Sequence, residues 1–117
     1  MSTNSQIAFA PLGKTIVVAA AAAAPAGIQA PVTSNSNQQN AGQYRVINSG
    51  IVTVFLGFGP SAAEATANAV APIAGTPSNA IVLVAGAVEV LRFNQTTFFS
   101  GLASSATTVY ITPGQGL

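Results

Sequence analysis

The most chemical-looking stretch of this chain is Gly57-Phe58-Gly59-Pro60-Ser61-Ala62. It has the G-x-G-x-x-A form in which glycines let a pyrophosphate approach backbone amides at a helix N-terminus. The surroundings argue against that use. No acidic residue stands about 20 positions further on to hold a ribose, and 117 residues are too few for a doubly wound sheet. The motif reads as a glycine-rich exit from a strand. Nucleophilic catalysis lacks its bases, because the chain has neither His nor Cys and Lys14 is its one lysine. Acid–base chemistry by a carboxylate pair would have to use Glu64 and Glu89, the only two acids. Glu64 is explained by a helix cap and Glu89 by a solvated strand face. Two carboxylates with no imidazole or thiolate make a poor metal site. Asn94-Gln95-Thr96 matches a glycosylation sequon, a triplet common by chance. No enzyme activity, cofactor or metal is expected.

Composition bounds the rest. A chain of 117 residues is one domain with a real core. Charged residues make up 4% of it, against about 25% in ordinary soluble domains. They are Lys14, Arg45, Glu64, Glu89 and Arg92. A net charge of +1 gives nucleic acid no basic patch to hold. The longest apolar run, Ile16 to Ala24, is about half the length a membrane-spanning helix needs, so no membrane partner is expected. A secretory leader is not expected either, since that run is mostly Ala and a single charge, Lys14, precedes it.

The elements follow from periodicity. Gln43 to Phe58 reads as a hairpin turning at Asn48-Ser49-Gly50, with Gly50 at positive φ. In its second arm, Val52, Val54, Leu56 and Phe58 share one face, and Ile51, Thr53, Phe55 and Gly57 the other. Both faces are largely apolar, so something must cover the second. Thr15 to Ala20 reads as a strand, with Ile28 to Val32 pairing back on it. Thr33 to Gly42 is a polar loop. Ser61 followed by Glu64 is a capping-box pattern, predicting a short helix over Ser61 to Ala69. Further strands are expected at Ile81 to Val84, Val88 to Phe93, Thr97 to Leu102 and Thr107 to Thr112. Val109 and Ile111 point inward in the last of these, and Pro113 to Leu117 is a tail unable to continue a strand. Seven or eight short strands at regular spacing mean an antiparallel all-β sandwich or barrel with at most one short helix. The expected organisation is one domain over 1–117, with an N-terminal arm of about residues 1–14 and a tail over 113–117.

Phe98-Phe99 puts one ring on each side of its strand. One ring is core and its neighbour partly exposed, or the pair anchors an interface, where aromatics are enriched.

From Arg45 onward the chain resembles a group of small virion structural proteins of tailed bacteriophages. The resemblance rests on Tyr44-Arg45-Val46-Ile47-Asn48-Ser49-Gly50, on Val54 to Gly59 and Ala85 to Val90, and on the ending Val109 to Leu117. Relatives often carry an acidic residue at the position of Gln115. The resemblance implies a capsid decoration or cement protein with a jelly-roll-like β-sandwich, located on the virion and assembled in the bacterial cytoplasm. Its partners would be the major capsid protein and copies of itself. Ile7, Phe9, Phe98, Phe99 and Leu117 are the candidate interface residues. The alternative is a head-fibre or tail component that binds a receptor or glycan, with exposed aromatics near Tyr44 or Tyr110.

Overall fold

The computed structural model describes residues 9–30 and 42–115. Its elements in chain order are β1 (Ala10–Pro11), β2 (Ile16–Ala20), β3 (Ile28–Gln29), β4 (Gln43–Asn48), β5 (Val54–Gly59), α1 (Ala62–Asn68), β6 (Ile81–Leu83), β7 (Val88–Arg92), β8 (Phe98–Ala103) and β9 (Thr107–Gln115). β2 pairs with β9, β3 with β8, β4 with β7 and β5 with β6, all antiparallel. The chain is therefore one long hairpin, doubled back at the connection that carries α1. Rolling that hairpin puts alternate pairs in opposite sheets. Sheet A runs β1-β9-β4-β7, with β2 also on β9, and sheet B runs β3-β8-β5-β6. Pairing of β4 with β9 and of β5 with β8 completes each sheet. This is the strand order of a jelly roll, a double-sheet solution to the edge-strand problem.

Alternation explains which side chains fill the middle. Tyr44, Val46 and Asn48 of β4 are buried while Gln43, Arg45 and Ile47 are only partly so. Val54 and Leu56 of β5 face them from sheet B, with Phe99, Leu83, Val18, Val109 and Ile111 completing a core in which every one of these side chains is at most 1% exposed. Phe99, Phe93, Tyr44 and Phe58 form a chain of tilted and edge-on ring contacts at 5.0–5.9 Å, a favoured geometry for aromatic pairs. Edge strand β7 carries Glu89 and Arg92, both exposed, which blunts that edge against further pairing.

The helix forms where its cap predicts. Ser61 is extended, at φ −142° and ψ 162°, and its hydroxyl accepts the Glu64 N–H at 3.2 Å.

Four expectations are corrected. Asn48-Ser49-Gly50 does not turn a hairpin: β4 and β5 lie in different sheets, and residues 49–53 carry the chain between them. Gly50 is accordingly not at positive φ, a conformation held among the described residues by Gly42, Gly75 and Gly86. The segment beginning at Ile28 pairs with β8 rather than β2, because the rolled hairpin places it in the opposite sheet. Pro113 does not end the last strand. The pairing of β9 continues through Gly114 and Gln115. The Pro113 carbonyl accepts the Leu12 N–H at 2.9 Å. In a strand a residue's nitrogen and carbonyl point to the same side, so the missing donor falls on the β1 side and leaves the β4 ladder intact.

Candidate interaction surface

The two outer faces of the sandwich are unequal. Across sheet B, α1 lies over β5 and β8, buried through Ala65 and Ala69. Close approach requires glycine beneath it: a Cβ on Gly57 would stand 2.7 Å from the Ala69 Cα, and one on Gly27 would stand 2.8 Å from the Ala62 Cα. The Pro25 carbonyl accepts hydrogen bonds from Ser100 Oγ at 2.6 Å and Thr66 Oγ1 at 2.8 Å, which fastens the strand-to-strand crossing under the helix. This helix is the cover that the second face of β5 demanded.

Sheet A has no such cover among the described residues. Its register aligns Val17 of β2 with Tyr110 of β9, Tyr110 with Ile47 of β4, and Ile47 with Val88 of β7. The result is a transverse apolar row spanning four strands. Val17 is 47%, Tyr110 40% and Val88 57% exposed, with Ile47 half-buried between them. Two rungs along, Val90 and Thr112 flank Arg45. No charge of the described residues interrupts the row itself.

Phe9 closes one end of this face. Its ring occupies the space above Gly114, where a Cβ would come 3.0 Å from Phe9 Cε1. The Arg45 guanidinium carbon stands 5.3 Å from the Phe9 ring centroid, a cation–π contact, and Arg45 Nε is buried with no hydrogen-bond partner among the described residues. Phe9, half-buried, thus pins the part of the arm that forms β1 onto sheet A. Of the other sequence candidates, Phe98 is half-buried on β8 and Phe99 is fully buried. That burial takes Phe99 off the surface as an anchor. Ile7 and Leu117 lie outside the described residues. Tyr44 is not an exposed aromatic either. It is 1% exposed, its hydroxyl donates to the Asn94 carbonyl at a long 3.5 Å, and burial pushes its pKa up. Tyr110 is the tyrosine on the surface. Sequence reasoning missed Val17, Ile47 and Val88 as members of one row, because only the register of four strands brings them into line.

Among the described residues no three His, Cys, Asp or Glu side chains gather as metal ligands, and no helix is long and apolar enough to cross a membrane. Compared with models of protein families, with curated proteins and with solved structures, the chain matches none.

Proposed function

We propose that this chain is a non-enzymatic structural protein of a bacteriophage virion, a decoration or cement protein that braces the head by contacting neighbouring capsid subunits and copies of itself. The observation that carries the reading is the apolar row Val17–Tyr110–Ile47–Val88 on a sheet face that none of the described residues covers, in a chain with 4% charged residues. Jelly rolls serve viral capsids and lectins alike, so the fold is compatible with the role but does not select it. Magnitudes favour a lattice over a free pair. Four strands about 4.8 Å apart and some five residues long present a face on the order of 300–400 Å². A stable standard interface buries about 800 Å² per partner. One such face therefore binds weakly, and many weak contacts repeated over a shell hold firmly through avidity.

The test is co-sedimentation of the purified chain with phage heads that lack it, followed by electron microscopy. Saturable binding at regular positions, with heads that then resist heat or low salt better, is the expected result. Absence of binding to any head preparation, or localisation to a fibre or tail, would remove the reading.

A further inference from the structure

A half-open cleft of about 780 Å³ lies at one end of the sandwich, between the end of β5 and the connection from β7 to β8. Its volume falls in the range of small-molecule sites, about 300–1,000 Å³. The floor is apolar: Phe58 and Phe93, both half-buried, stand with ring centroids 5.0 Å apart. The walls are neutral hydrogen-bonding groups with one cation. Asn68 is held in place by donating to the Phe58 carbonyl at 2.9 Å, which leaves its amide oxygen as an acceptor. Asn94 and Thr96 lie opposite on the connecting loop, both exposed. Loop shape is set from within: the Asn94 carbonyl accepts the Thr97 N–H at 3.0 Å, and Gln29 Nε2 donates to the Thr96 carbonyl at 3.1 Å. The cation is Arg92, exposed at the end of β7, with no carboxylate partner among the described residues.

We propose that this cleft binds the acidic unit of an oligosaccharide, a uronic or sialic acid. An apolar floor suits the C–H face of a pyranose ring, and amides and a hydroxyl suit its hydroxyl groups. A single planar guanidinium matches one carboxylate, in a fork geometry. A phosphate or nucleotide fits less well, because one arginine would have to carry at least two charges, and the glycine-rich stretch at the cleft lines it with Phe58, Gly59 and Pro60, of which Pro60 has no N–H to donate. Glu64 sits behind Gly59 on α1 and is not a wall of the cleft; it would disfavour an anion of higher charge. The site is remote in kind from the sheet A row: one is polar and concave, the other apolar and open. It does not depend on the virion reading.

Chemical-shift mapping with the full chain tests it, using sialyllactose and trigalacturonic acid against lactose and the methyl-esterified trigalacturonate. Saturable shifts at Gly59, Phe93, Asn94 and Thr96 with an acidic probe, weaker with its neutral match and reduced by salt, are expected. Arg92→Gln should lower acidic affinity about tenfold or more, and Arg92→Lys should restore part of it. A thermal melt confirms that each variant is folded. The proposal is overturned by the lack of any saturable shift at roughly 10 mM probe, a concentration that detects even millimolar binding. Shifts that map elsewhere, or an affinity unchanged in folded Arg92→Gln, would overturn it equally.

Discussion

Asn48 Nδ2 lies 3.0 Å from the carbonyl oxygen of Leu83, joining the end of β4 in sheet A to β6 in sheet B inside the protein. Both residues are fully buried. The same amide nitrogen reaches the Val52 carbonyl at 2.9 Å and the Val84 carbonyl at 3.1 Å, and Asn48 Oδ1 accepts the Gly50 N–H at 3.1 Å. The Asn48 backbone adds bonds to Ala87 and Gly86. One side chain thus satisfies the carbonyls freed where the chain leaves one sheet for the other.

Asn48→Leu should therefore destabilise the fold by about 2–4 kcal/mol, since several buried polar groups lose their partner at once. Asn48→Asp should be worse. It is nearly isosteric, but it removes the donors and brings a carboxylate against three carbonyl oxygens. Urea unfolding measures both. If the aspartate variant is as stable as the parent at neutral pH, this residue does not link the sheets.

Gly50 offers a sharper contrast. A glycine needed for positive φ tolerates Asn better than Ala, because Asn enters the left-handed region more readily. Here the restriction is space: a Cβ on Gly50 would come 2.7 Å from Thr107 Cβ and closer still to its hydroxyl. Gly50→Ala and Gly50→Asn should both cost about 1–3 kcal/mol, with Asn no milder than Ala. Thr107→Ser should not rescue them, whereas Thr107→Gly should rescue them in part. Denaturation midpoints of the double variants decide it.

That contrast shows where the sequence is legible. The strands declare themselves through β-branched and aromatic runs such as Val54-Phe55-Leu56 and through alternation such as Thr108-Val109-Tyr110-Ile111-Thr112, and α1 through Ser61 and Glu64. Which strand pairs with which is a different question. Asn48-Ser49-Gly50 carries the local signature of a tight turn, and nothing within a few residues distinguishes reversal from a crossing between sheets. Asn48 could only be recognised as a buried hub once β6 was placed beside it. The same holds for Phe98 and Phe99: alternation separates them, but pairing with Phe58 and Ile28 decides which of the two is core. Pro113 hid the end of β9 because a proline stops a strand only if its absent N–H was needed. The sheet A row and the end cleft are likewise products of register and loop placement, assembled from residues that look ordinary one at a time.

Tyr44 predicts a pH dependence. Burial raises its pKa above the ordinary value of 10.0. The unfolded chain then loses this proton first as pH rises, so the folded state holds more protons and stability falls. The contribution is complete below pH 10 and is lost as pH climbs from there through the raised folded value. Tyr44→Phe should flatten that alkaline decline. At neutral pH it should cost no more than about 1 kcal/mol, because the bond it removes is a long one, 3.5 Å to the Asn94 carbonyl. Urea midpoints measured from pH 8 upward in both proteins give the comparison, and an identical alkaline slope in the two would remove the assignment.

The last expectation concerns association through sheet A. A row of apolar side chains across four strands is tolerated in water only at the risk of sticking, and a net charge of +1 offers little electrostatic protection. Placing charge in the row should separate association from folding. Val88→Lys and Tyr110→Lys replace side chains that are 57% and 40% exposed, so neither leaves a core cavity or buries a charge in the free chain. Each should shift stability by no more than about 0.5–1 kcal/mol. Against a partner the same lysines would have to be desolvated, so together they should abolish self-association in light scattering and co-sedimentation with heads. Val82→Lys is the control: it is 50% exposed but lies on β6 in sheet B, off the row. It should leave both assemblies intact. If the Val88/Tyr110 double variant associates as the parent does while Val82→Lys does not, the contact runs through sheet B, and the assignment of this face is wrong.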